Sequence, residues 1–370
     1  MDPLVWLLIS FGIFYHAFQR PRGYFRQTLS ICHVISLLGC LKSKSTLLIG
    51  QRLWCQFVVW AMAHTASLLL IQNKSIDLAS MALSQRIRII FRTWSNIRHL
   101  PLHERETTPR YNKHHFILQK AFRILALIFA QQLLSSASFR IFIAFRLDLY
   151  DFDPVKQGLI PSWDLKDSSI RAIVSTQWIW STYIILHVAH DLLSLIFVVA
   201  LSWDSPDDWP PLFGSVQEAY SLRRFWGVFW LRLHKAPFEL FMPSLLHPRA
   251  DSQSSPSEKS TAQRFSHPVF RRQSLRALWM FMLSALFHIA VDKVVLGQGN
   301  MLAEINFFLS NFGICLIETM AKASFAGRLS LLWSKTRALG YLWVFAIFFC
   351  LGPRWRYPLV MAELSQSISN

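Results

Sequence analysis

Apolar stretches long enough to cross a lipid bilayer recur along this 370-residue chain, and nothing else in it constrains the fold as strongly. Hydrocarbon offers no water to satisfy backbone N–H and C=O groups, so each such stretch must close its own hydrogen bonds as a helix. A spanning helix needs roughly 20 apolar residues. Runs of this kind are read at Leu4–Phe18, Leu53–Ile71, Phe122–Leu134 with an extension through Ile141–Phe145, Ile173–Leu201, Ala277–Leu296, Met301–Ala323 and Leu339–Val360, with a shorter one at Ile31–Leu41. The first run lacks a basic n-region and an A-x-A-like site, which marks a retained span rather than a cleaved signal peptide. Ile173–Leu201 is long enough to tilt or kink, and Gly352 and Pro353 interrupt the last run. The expectation is an all-α, polytopic transmembrane helical protein with about eight membrane helices in one integral membrane domain, residing in the endoplasmic reticulum.

Composition excludes the main alternatives. Charged residues make up 16% of the chain, against about a quarter in ordinary soluble domains. Fifteen Trp and thirty Phe give it an apolar mass that disordered or low-complexity chains lack. The 38 Lys and Arg exceed the 21 acids, giving a formal charge of +17. These cations stand between the apolar runs, as membrane flanks do, so the implied partner is the lipid bilayer and not nucleic acid. Cys32, Cys40, Cys55, Cys315 and Cys350 form no CxxC pair, which indicates neither a disulfide framework nor a zinc cluster.

Three polar connections separate the runs, at about 73–123, 146–171 and 202–276. The first carries Arg86, Arg88, Arg92 and Arg98 beside Ile87, Ile89, Ile90 and Trp94, a spacing that predicts an interfacial amphipathic helix. The second is rich in Asp. The third contains a Ser-rich stretch, about 249–266, read as a mobile loop.

His288 is the leading candidate for chemistry. It lies within Ala277–Leu296, and an ionisable side chain deep in a membrane helix is costly unless it faces an interior cavity. Ser284, His288 and Asp292 stand four residues apart and share one helix face. An Asp292 carboxylate accepting from one ring nitrogen would leave the other as the acceptor that a general base needs. A histidine bonded to a neighbouring helix fits the same spacing, and the residues alone do not choose.

A second constellation lies upstream, in Asp208-Trp209-Pro210-Pro211-Leu212-Phe213-Gly214 and in Ala219-Tyr220-Ser221-Leu222-Arg223-Arg224-Phe225-Trp226-Gly227-Val228-Phe229-Trp230. The two prolines hold the backbone extended and Gly214 permits a sharp turn, so the first block predicts a rigid entry. Ser221 is placed to cap a helix that begins after it. The aromatic residues at 225, 226, 229 and 230, beside Arg223, Arg224, Arg232 and Lys235, predict an amphipathic element at the membrane surface. Such an element is an anchor, or its arginines receive the phosphates of a nucleotide-like cosubstrate such as coenzyme A.

These two blocks, the later Ser284-x-x-x-His288 in an apolar helix, the Gly340-Tyr341-Leu342-Trp343-Val344 segment and the Asn96-x-Arg98 element together resemble the fungal wax-synthase-like membrane-bound O-acyltransferases. The resemblance covers most of the C-terminal half and, more loosely, the hydropathy of the whole chain. It implies acyl transfer, often of acetyl, from acyl-coenzyme A to a hydroxyl of a lipophilic small molecule, with acetyl-CoA a cosubstrate and no bound cofactor or metal. Many fungal relatives tailor terpenoids or meroterpenoids. Carried over, His288 becomes the catalytic base, while Trp226, Gly227 and Trp230 belong to the block that shapes the donor site. The family follows the second Trp of that block with His. This chain has Leu231 there, and His234 stands one turn on.

Competing readings use other residues. His187, His190 and Asp191 form an HxxHD arrangement and His114 and His115 are adjacent, but a di-iron site needs several complete HxxxH and HxxHH boxes. His187 and His190 are expected to bond between helices or line an acceptor cavity. Asp151-x-Asp153 and Asp207-Asp208 lie in polar loops, not in an NDxxD-like run on a helix, which argues against magnesium-diphosphate chemistry. A long-chain wax ester synthase, or a transporter or scaffold without chemistry, shares the apolar spans. No inverted repeat favours transport.

Overall fold

Every regular element among the described residues is helical. The computed structural model describes residues 2–43, 50–72, 74–78, 80–100, 112–230, 235–246, 267–297, 300–324 and 337–369. The helices are α1 (Pro3–Phe18), α2 (Tyr24–Lys42), α3 (Gln51–Ala66, extended by a π turn Ser67–Ile71), α4 (Leu83–Ser95), α5 (Lys113–Ala144) and α6 (Leu165–Ser194, extended by a π turn Leu195–Ala200). They continue with α7 (Leu222–Arg224, running into a π turn Phe225–Trp230), α8 (Lys235–Leu240), α9 (His267–Leu296), α10 (Met301–Ser324) and α11 (Arg337–Ser369). The fold is therefore all-α and polytopic, as expected.

Among the described residues six helices are long and apolar enough to cross a membrane: Gln51–Ile71, Lys113–Ala144, Leu165–Ala200, Val269–Leu296, Met301–Lys322 and Arg337–Leu364. The count falls below eight for two reasons. α1 has 16 residues and rises roughly 24 Å, short of a hydrocarbon core of about 30 Å. α2 is longer but carries Arg26, His33 and Lys42 among its 19 residues, which lowers its hydropathy. The expected break at Gly352 and Pro353 is absent, because α11 runs through both Pro353 and Pro358. At Gly352 a side chain would meet the Ser175 hydroxyl of α6 at 2.5 Å, so the glycine serves close helix approach. The Ser-rich stretch at 249–266 lies outside the described residues.

The chain divides into two compact units. One comprises Met1–Leu102 and Leu233–Gly299, the other His103–Arg232 and Asn300–Asn370. In the first, α1, α2, α3 and α9 pack in sequence. One core cluster joins Phe14, Phe18, Leu68, Leu69, Ile90 and Trp94, and a second joins Leu37, Trp54, Val58, Trp60, Phe238, Phe287 and Val291. The apolar residues of α4 bury Ile90 and Trp94 against α1, so its amphipathic stripe serves this core. Within the unit the buried His33 ring bonds Ser10 at 3.0 Å and Thr65 at 2.8 Å, tying three helices together.

In the second unit α6 lies between α5 and α11, and α10 packs on both α7 and α11. Its centre is aromatic. Trp178 of α6 has Trp226, Trp230, Phe307, Phe348 and Trp355 around it at centroid distances of 5.0 to 6.4 Å.

Candidate functional site: a motif cluster and an intramembrane histidine

The two upstream blocks and the Gly340–Val344 segment assemble within the second unit. Ser205 and Asp208 form a capping box around Pro206–Asp208, and the Trp209 indole donates to Asp204 at 3.1 Å, so the Trp-Pro-Pro segment enters in a fixed direction. It then lies along α6. Phe213 stacks on His187 at 5.1 Å, and Trp209 meets His190 edge-on at 5.2 Å. The next residue, Asp191, is buried and held by Lys120 and Arg123 of α5, so that carboxylate is an internal counter-ion. Gly214 permits the turn: a Cβ there would sit 2.2 Å from the Val228 carbonyl, and its N–H donates to Phe229 at 2.8 Å.

Ser221 caps α7, accepting from the Arg224 N–H at 3.3 Å. The backbone N–H groups of Leu222 and Arg223 at the start of α7 are both taken by the Glu318 carboxylate at 2.9 Å, and the same carboxylate accepts the Trp343 indole at 2.8 Å. The Gly340–Val344 segment is therefore part of the cluster. Gly340 lies against the Tyr220 carbonyl, and the Tyr341 hydroxyl donates to Val216 at 3.3 Å.

The aromatic element corrects one expectation. Phe225, Trp226 and Phe229 are buried, not spread on a membrane surface. Hydrophobic periodicity measures how apolar a face is, and cannot tell a lipid neighbour from an aromatic one. Trp226 donates to Asn311 at 2.9 Å, and Trp230 stacks on Phe225 at 5.6 Å and meets Phe213 at 5.1 Å. Gly227 faces open space, Arg223 is exposed and Arg224 pairs with Glu218. Leu231 and His234 lie outside the described residues.

His288 belongs to the first unit. α9 is unbroken from His267 to Leu296, so Ser284, His288 and Asp292 do share a face. His288 is half-buried beside Phe287, which packs on Trp60 at 4.4 Å, with Phe238 on the same indole at 4.7 Å. Asp292 is fully buried and its carboxylate binds Arg52 of α3, not the imidazole. Spacing within one helix suggested His288 as its partner. A buried carboxylate instead takes the available cation, because an unpaired charge there is far costlier. The Ser284 hydroxyl donates back to the Met280 carbonyl at 2.9 Å.

Several residues of these neighbourhoods were not singled out from sequence: Arg52, Glu304, Asn311 and Glu318. The last three had a legible signal. They are polar residues within a membrane helix, seven apart, which is nearly two whole turns and hence one face.

Known proteins share the stretch that carries these features. Residues 209–310 match the Membrane bound O-acyl transferase family, a stretch that includes both upstream blocks and Ser284 to Asp292. The chain is 31% identical over 180 residues to acetyltransferase ataH of Aspergillus terreus, covering 47% of this chain and 54% of that protein. It is 28% identical over 233 residues to acetyltransferase aurG of Calcarisporium arbuscula, covering 57% and 51%. It is 30% identical over 200 residues to O-mevalon transferase yanI of Aspergillus niger, covering 48% and 42%. No solved structure matches the chain. The chain thus spans about half or less of the length of these curated relatives. Residues 209–310 are thus similar to the membrane-bound O-acyltransferases, within an all-α chain whose described residues include six helices long and apolar enough to cross a membrane.

Proposed function

We propose that the chain is an acyl-coenzyme-A-dependent O-acyltransferase of the endoplasmic reticulum membrane, moving an acetyl group to the hydroxyl of a lipophilic acceptor of the terpenoid or meroterpenoid kind. One observation carries this reading: the family match at 209–310 holds the Trp209–Gly214 block, the Ala219–Gly227 block and His288 together. The fungal relatives named acetyltransferase favour the acetyl group. A second reading has support too, because relatives named O-mevalon transferase favour transfer of a larger group in place of acetyl.

An alcohol is a poor nucleophile at neutral pH. In this reading His288 takes its proton as the oxygen attacks the thioester carbonyl. The C–S bond then breaks, and the departing thiolate receives that proton from the imidazolium, leaving an ester and free coenzyme A. A positioned base is worth about 10² to 10⁴ in rate. Exclusion of water protects the thioester from hydrolysis. Asp292 acts through position: its bond to Arg52 fixes α9 against α3 and so fixes the height of His288. Ser284 shares that face with its proton committed to Met280. On the donor side, Arg223 and Arg224 receive phosphate, and the Trp226, Gly227 and Trp230 block carries those arginines. His234 stands in for the histidine absent at Leu231.

The test is ester formation. Microsomes containing the protein, given labelled acetyl-CoA and terpenoid alcohols, should yield an acetylated product. The His288→Ala protein should insert in the membrane and form almost none. Near-normal turnover in that variant removes His288 from the mechanism, and flux of an unaltered compound without ester would point to transport.

A further inference from the structure

Four cations of the second unit gather about the Tyr220–Arg224 turn, two of them over the Tyr220 ring. The Arg224 guanidinium lies 4.8 Å from the Tyr220 ring centre, and that of Arg337 lies 5.7 Å from it. Lys322 stands one helical turn after Glu318, whose carboxylate holds the Arg223 backbone, so it shares the face of α10 that meets the arginine pair. The four come from three separate stretches: the Ala219–Gly227 block, the end of α10 and the start of α11.

Two acids face the four cations, and both are already committed. Glu218 pairs with Arg224. Glu318, one turn before Lys322, is engaged by the two backbone N–H groups and the Trp343 indole. Among the described residues Arg223, Lys322 and Arg337 form no ion pair with a carboxylate. The arrangement is also fixed: Glu318 clamps the Arg223 backbone, Ser221 caps the turn, and Gly340, three residues after Arg337, lies on the Tyr220 carbonyl. Holding like charges together is unfavourable unless an anion completes the site.

A ligand bearing several phosphates fits this chemistry, since guanidinium forks pair bidentately with phosphate and an ammonium adds a point charge. We infer that Arg223, Arg224, Lys322 and Arg337 form one platform for the phosphates of the coenzyme A donor, with Lys322 and Arg337 extending the arginine pair legible in the sequence. The inference rests on the transferase reading. Lys322 ends one candidate span and Arg337 begins the next, and both lie beside the Tyr220–Arg224 turn, so they stand at the same end of the two helices. A water-soluble donor arrives at such an end. Lipid headgroups offer the same phosphate chemistry there, and the experiment separates the two.

The full chain in nanodiscs is assayed with acetyl-CoA and with S-acetyl-pantetheine, which has the thioester and no phosphates. Replacing both cations (Lys322→Gln with Arg337→Gln) should raise KM for acetyl-CoA about tenfold or more, keep kcat, and collapse the preference for acetyl-CoA over the truncated donor. An unchanged KM for acetyl-CoA overturns the inference. So does an equal rise for both donors, or a variant whose only change is lost stimulation by phosphatidylserine, which would assign the cations to headgroups. Should the double variant not fold, the wild type decides: added salt should raise KM for acetyl-CoA and leave that for acetyl-pantetheine alone, and equal salt responses overturn the platform. A wild-type protein that makes no ester from any donor defeats the transferase reading itself, a separate outcome.

Discussion

The indole N–H of Trp226 donates to the Asn311 side-chain oxygen at 2.9 Å, and Asn311 is fully buried. Two further residues of the same helix face do likewise: Glu304 accepts from Trp355 at 2.6 Å and Glu318 from Trp343 at 2.8 Å. One polar stripe on α10 thus anchors three indoles from two different segments.

Removing the Asn311 acceptor leaves a buried donor, which costs about 1–3 kcal/mol in soluble proteins and averages nearer 0.6 kcal/mol between membrane helices. The Asn311→Leu protein should lose about 1 kcal/mol, and Asn311→Asp, which keeps an acceptor, should lose less. Thermal unfolding in detergent reads both. Equal stability of the Leu variant and the wild type would show that this bond does not anchor Trp226.

Gly340 and Gly227 make opposite predictions. A Cβ at Gly340 would lie 2.2 Å from the Tyr220 carbonyl, a backbone atom that cannot swing away, whereas one at Gly227 meets nothing within 4 Å. Overpacking costs about 1–3 kcal/mol, so Gly340→Ala should lower the melting temperature by several degrees. Gly227→Ala relieves a helix of glycine's entropy and should leave stability equal or higher. If Gly340→Ala melts like the wild type, the close approach of α11 to the Tyr220 turn is wrong.

These contrasts also mark how far the chain's fold was legible in its residues. The Trp-Pro-Pro entry and the Ser221 cap are local devices, and local chemistry dictated both correctly. The long apolar runs disclosed the membrane helices for the same reason, and they leave the count open at α1 and α2, where length and hydropathy are marginal. Partners distant in sequence were not legible. Nothing near Asp292 announces Arg52, 240 residues away, and the i, i+4 spacing pointed to His288 instead. Trp226 reads as an amphipathic surface residue until α10 supplies Asn311.

The His64–His99 pair predicts a pH effect. Their rings bond at 3.0 Å, and His99 follows α4 outside the candidate spans. Burial, and then the charge of Lys74, hold the His99 pKa below its ordinary 6.5. Protonation is therefore harder in the folded chain than in the unfolded one. The stability this implies is complete above about 6.5 and is lost as pH falls below it toward the folded value. Melting temperature should drop between pH 7 and 5, and His99→Gln, which cannot charge, should flatten the drop. A variant with the wild-type slope would assign the effect to other groups.

The Arg52–Asp292 pair predicts an asymmetry between single and double variants. Asp292 is fully buried and one of its oxygens has no other hydrogen-bond partner, so Arg52 alone compensates its charge. Truncating one member of a buried pair costs about 3–5 kcal/mol, whereas replacing both by apolar groups of similar volume is often neutral. Arg52→Met should therefore destabilise the protein strongly, and adding Asp292→Leu should restore much of the loss. Because α9 also carries His288, turnover gives a second reading of the same pair. If the pair only balances charge, the restored double variant acetylates normally. If it sets the height of His288 along α3, the double variant melts near the wild type yet turns over at least about tenfold more slowly, since a 1 Å misplacement of a catalytic group can cost about a hundredfold. Normal turnover in a restored double variant would reduce Asp292 to a structural counter-ion and leave His288 to act without it.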